Sequence, residues 1–140
     1  MRGNSIVRAA VATAVLAALF VPVSAGGAEP TYVTHDCVST RMEPSQIMFA
    51  CGDGGFYVKH LHWSSWYRMH AHGRGVFHLN DCDPSCAGGT FHSRRGTLSL
   101  RYRLWCPDVH RWVFKRAKIR YDRPFPGHRR KESFRLYCPL

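Results

Sequence analysis

Six cysteines, at positions 37, 51, 82, 86, 106 and 138, constrain this chain more than any other feature, because none precedes residue 37 and their number is even. In a short exported chain such a set reads as three disulfides, a covalent frame for a domain too small to bury a large core. The expected pairing is 37–51, 82–86 and 106–138, one of many connectivities open to six cysteines. Cys82-Asp-Pro-Ser-Cys86 is a tight polar loop turned by its proline, and Cys106 and Cys138 sit in the like settings Arg-Leu-Trp-Cys-Pro and Arg-Leu-Tyr-Cys-Pro. A structural zinc site would want Cys-x-x-Cys pairs, which the chain lacks.

The start of the chain supplies the export argument. Arg2 and Arg8 form a basic stretch, Ala9 to Val21 is apolar, Pro22 ends it, and Val23-Ser24-Ala25 offers small residues to a signal peptidase. Cleavage is expected after Ala25, with Ala28 the second candidate. About 13 apolar residues fall short of the roughly 20 that span a bilayer. The expectation is a secreted, extracellular protein: signal peptide 1–25, then a single β-domain over 26–140.

Length and charge narrow the rest. At 140 residues, 45% hydrophobic and 21% charged, the chain fits one globular domain and excludes disorder and multidomain enzymes. Its 20 Lys+Arg against 9 Asp+Glu give +11, but the charge is local. Residues 26–93 hold four basic groups and six acidic ones, whereas residues 94–140 hold 14 basic against Asp108, Asp122 and Glu132.

After residue 30, segments rich in Val, Ile, Phe, Tyr, Trp and Thr alternate with Gly, Pro, Asn and Asp clusters, and no helical period is sustained. This predicts an all-β fold, a small disulfide-stapled antiparallel sandwich or open barrel. Strands are expected over 31–34, 46–51, 55–63, 67–71, 76–80, 96–105, 111–121 and 133–138. Gly73-Arg74-Gly75 reads as a hairpin loop. Leu98, Leu100, Tyr102, Leu104 and Cys106 alternate with polar positions. Ala117, Ile119 and Tyr121 do the same in the next strand, with a bulge expected near Lys115.

Pro44-Ser-Gln-Ile47, Cys51-Gly-Asp-Gly54, Trp63-Ser-Ser-Trp66 and Asn80-Asp-Cys82-Asp-Pro84-Ser-Cys86 together resemble an uncharacterised family of short secreted actinobacterial proteins. That resemblance implies a disulfide-bonded secreted fold and transfers no catalytic or binding residue.

Two constellations compete for function. If the last three strands are neighbours, Arg101, Arg103, Arg116, Lys118, Arg120 and Arg135 share one sheet face, edged by Trp105 and Tyr137. This is a field for anionic cell-envelope polymers or nucleic acid, set against the plain reading of a solvated face. The alternative is a histidine-rich hairpin. A three-residue loop at 73–75 would bring His70, His72 and His78 together as a Zn²⁺ or Cu²⁺ site, or set His70 or His78 beside Arg74 for hydrolysis. Trp63 and Trp66 read as core, and Asn80-Asp81-x-Asp83 as turn chemistry. No nucleophile, metalloprotease or phosphate-loop motif is present, so the expected role is non-enzymatic, without a cofactor.

Overall fold

The computed structural model describes residues 27–140, so the expected signal segment and its Ala25 cleavage site lie outside the described residues. Eight strands follow: β1 (Thr31–Thr34), β2 (Thr40–Arg41), β3 (Ile47–Met48), β4 (Phe56–Trp66), β5 (His70–Asn80), β6 (Phe91–Cys106), β7 (Arg111–Tyr121) and β8 (Lys131–Arg135). They form one sheet in the order β2-β1-β7-β6-β5-β4-β3, with β8 also on β7. Among the described residues the β1–β7 pairing alone is parallel. The sheet curls into an open half-barrel around its core, the open-barrel branch of the expectation.

Alternation builds that core. Val58, Phe77, Leu98, Leu100, Ala117 and Ile119 project to one side and are buried. Trp63 and Trp66 meet edge to face at 4.6 Å, and Trp66 meets Phe114 at 5.4 Å. Their indole N–H groups donate to the Pro44 and Thr31 carbonyls, so the pair is core, as expected.

The 73–75 hairpin does not exist. β5 runs unbroken from His70 to Asn80, and the chain reverses instead at 67–69, where the Tyr67 amide donates to the His70 carbonyl. The glycines serve close packing. A Cβ on Gly73 would stand 2.8 Å from Trp63 Cε3, and one on Gly75 would stand 2.9 Å from the Lys59 carbonyl oxygen. Both inner positions must be bare for β4 to fold over β5.

The bulge expected near Lys115 is not there: no residue is inserted, and what breaks the alternation is an exchange of faces in both strands of the pair. Arg101 pairs with Arg116 and Arg103 with Phe114 in unbroken register. Yet Leu100 and Ala117 are core on one side of this level, and Phe114 is core on the other. Tyr102, at φ 59°, lies where the faces exchange.

All three expected disulfides are formed: 37–51, 82–86 and 106–138. Cys37–Cys51 joins the loop after β1 to the loop after β3, and Cys106–Cys138 joins the end of β6 to the tail after β8. Such a framework belongs to an oxidising environment.

Candidate functional site

The outer face of the sheet carries the charge. Strand pairing sets His70, Arg101, Arg116 and Arg135 in one row across β5–β6–β7–β8. The next row is His72, Ser99, Lys118 and Ser133, and the third is Arg74, Thr97, Arg120 and Lys131. Arg95 and Lys59 extend the field beside Val76. Every one of these lysines and arginines is exposed.

Five of the six expected face residues therefore come together: Arg101, Arg116, Lys118, Arg120 and Arg135. Arg103 does not. Past the face change it shares the side of Phe114, and its guanidinium lies 4.3 Å above the Trp112 ring, with Nε and Nη2 buried and unpartnered. Trp105, expected at the edge of the field, follows it and packs on Trp112 at 5.4 Å.

Lys131, Arg74 and Arg95 also belong to the face and were hidden by element boundaries. β8 begins at Lys131, two residues before the expected start, and β6 begins at Phe91, well before Gly96. Arg74 lies on β5, where the sequence predicts a loop. Lysine and arginine at alternate positions just outside each expected strand were the available signal.

Among the described residues the face is almost without anions. Arg74 pairs with Asp122, and no carboxylate pairs with Arg101, Arg116, Lys118, Arg120, Lys131 or Arg135. Between β6, β7 and β8 runs a groove of about 510 Å³ lined by Lys118, Arg120 and Lys131, by Thr97, Ser99 and Ser133, and by Glu132, whose carboxylate is bonded to Tyr121 and His128. It offers cationic and hydroxyl donors together, the combination that suits oxyanions.

The histidines take a different arrangement from the one expected. His70, His72 and His78 lie along a single strand, and eight residues separate the outer two by roughly 26 Å. Three imidazoles cannot converge on one ion. His70 and His72 have ring centroids 5.6 Å apart. His72 Nδ1 and His78 Nδ1 each stand 2.9 Å from a serine hydroxyl of β6, Ser99 and Ser93. His78 also stacks on Tyr57 at 4.8 Å, and burial, followed by the nearby Lys59 and His60, lowers its pKa. Arg74 is four residues from His70 and from His78, roughly 13 Å along the strand, so neither hydrolytic pairing forms. Among the described residues the one cluster of potential metal ligands is Asp53, Cys82 and Cys86, whose sulfurs are consumed in a disulfide.

Asn80-Asp81-x-Asp83 is turn chemistry, as expected. Asn80 Oδ1 accepts from the Cys82 amide at 3.0 Å, and Asp81 Oδ1 accepts from the Asp83 amide at 3.1 Å. Among the described residues no helix is long and apolar enough to cross a membrane. No protein-family model, no curated protein and no solved structure matches this chain.

Proposed function

We propose that this protein is a non-enzymatic binding protein of the extracellular space that holds an extended anionic polymer, of the cell envelope or nucleic acid, on the outer face of its sheet. The observation that carries the reading is the row Arg101–Arg116–Arg135 beside Lys118, Arg120 and Lys131, without a carboxylate among them. Like charges opposite one another on a sheet cost about 0.2–1 kcal/mol per pair, so an unneutralised row is an arrangement a purely structural face would avoid. Residues two apart on β7 are roughly 6.6 Å apart, which presents Arg116, Lys118 and Arg120 as an evenly spaced line to a repeating polyanion. The three disulfides support an oxidising, extracytoplasmic setting.

Affinity for heparin and for single-stranded DNA, followed across a salt series, tests this. The logarithm of the binding constant should fall linearly with the logarithm of salt concentration. Arg101→Glu combined with Lys118→Glu should flatten the slope by about two and weaken binding at least tenfold. Arg41→Glu, on β2, should change little. Equal affinity for the two variants, or no salt dependence, would refute the reading.

A further inference from the structure

A second site lies on the opposite side of β8, inside the half-barrel. β8 pairs with β7 alone, so the curled sheet stays open along this edge. A cavity of about 430 Å³ occupies the opening, within the range of small-molecule sites in barrel mouths. Its floor is aromatic. Phe56 and Phe134 approach at 5.3 Å, and Phe49 lies 5.0 Å from one and 5.9 Å from the other, with Leu79 alongside.

The wall is built by the loop before β8. Phe125-Pro126-Gly127-His128 is a type II turn: the His128 amide donates to the Phe125 carbonyl at 3.0 Å, and Gly127 has φ 72°. The turn sets His128 Nδ1 3.0 Å from Glu132 Oε1, while the buried Tyr121 hydroxyl donates to Glu132 Oε2 at 2.8 Å. Burial and the adjacent Glu132 push the Tyr121 phenol far above its ordinary pKa, so it stays a donor. The loop base is closed by the Tyr121 amide donating to the Arg130 carbonyl and by Arg130 Nε donating to the Tyr121 carbonyl.

The ligand class follows from which groups are free. Both oxygens of Glu132 are engaged, so the one carboxylate at the cavity is not presented to a cationic ligand. Arg129 and Lys131 line the same cavity without a carboxylate partner among the described residues. We propose that this cavity binds a small aromatic acid, its ring packing against Phe56 and Phe134 and its anionic group meeting Arg129. The cavity borders the polymer-binding face along β8, where Lys131 and Ser133 line both, but its aromatic floor and Arg129 are not part of that face.

Anilinonaphthalene sulfonate, an aromatic body bearing one anionic group, is the probe, and fluorescence titration of the disulfide-intact protein is the measurement. Binding should saturate at one molecule per chain. Arg129→Glu should weaken it roughly tenfold, the loss of a charge-assisted contact. Arg41→Glu and Arg101→Glu with Lys118→Glu should leave it unchanged. Neutral phenylnaphthylamine should bind at least tenfold more weakly. Arg129 is exposed, so its variant folds, and near-ultraviolet circular dichroism verifies this. The proposal is overturned by non-saturating binding, by equal binding of the neutral analogue, or by an Arg129→Glu variant that binds as well as the parent. An effect from the outer-face double variant equal to that of Arg129→Glu would also overturn it, by placing the probe on the outer face. None of these results bears on heparin or DNA affinity.

Discussion

Asp81 organises the loop between β5 and β6. Its carboxylate accepts from the Thr90 amide at 2.8 Å, from His92 Nε2 at 2.9 Å and from the Asp83 amide at 3.1 Å. These contacts, the Thr90 amide foremost, hold its pKa at about 2 against an ordinary 3.8. A depressed carboxylate stabilises the fold fully above its unfolded pKa and loses that contribution as pH falls through the folded value. Acidification from pH 3.8 toward about 2 should therefore release the Thr90 amide, seen as faster hydrogen exchange there. In Asp81→Asn the same amide should exchange with no transition in that window.

Arg103 marks the limit of residue-level reading. Alternation counted forward from Leu98 puts it outside, and the count fails because the faces exchange at Tyr102. The sequence carries a hint on the other strand, where Phe114 and Ala117 are both apolar at a spacing of three. Transferring that break to Arg103 requires knowing that Arg103 opposes Phe114, which is tertiary information.

At the scale of the element, β5 shows how local signals mislead. Gly-Arg-Gly between two strand-like segments is ordinary hairpin chemistry, and nothing within those residues distinguishes a turn from a strand pressed against its neighbour. The deciding contacts come from β4: Trp63 over Gly73, and Val58 with the Lys59 carbonyl against Gly75. Gly96 has the same role on β6, where a Cβ would stand 2.7 Å from the Arg120 carbonyl oxygen. Gly75→Ala and Gly96→Ala should each destabilise the protein by about 1–3 kcal/mol in urea unfolding, whereas Gly52→Ala, with nothing near its Cβ, should be close to neutral. A turn at 73–75 would predict little loss for Gly75→Ala. The long alternating strand β7 was legible to its exact ends, since Arg111 to Tyr121 is bounded by a Pro-Asp turn and an Asp-Arg-Pro loop. The two-residue strand β2 was not, and of the strand expected over 46–51 only Ile47–Met48 pairs, because both pairings depend on the neighbour alone.

Over the whole molecule, the number of disulfides and the lopsided charge were readable from count and position, the tight 82–86 loop from its spacing, and the histidine site was not, because it rested on one assumed register. The charge also has an energetic signature. Arg116 stands between Arg101 and Arg135, so Arg116→Thr should raise stability by about 0.5–1 kcal/mol at low ionic strength. The gain should shrink in about 0.5 M NaCl, where the Debye length is only a few ångström. Urea unfolding at the two salt levels measures both, and the same substitution should weaken heparin binding.

One arrangement at this scale bears on how the protein assembles. β1 and β8 lie end to end along the same edge of β7, with the Leu136 amide on the Lys115 carbonyl and Thr34 Oγ1 donating to the Tyr137 carbonyl where they meet. β4 through β7 is a meander of neighbours in sequence, joined by connections of at most ten residues and so quicker to form, whereas β1 must cross some eighty residues of chain to reach Trp112. The meander is thus expected to condense first and leave one edge vacant, on which the two ends of the domain settle last and each halts the other's advance.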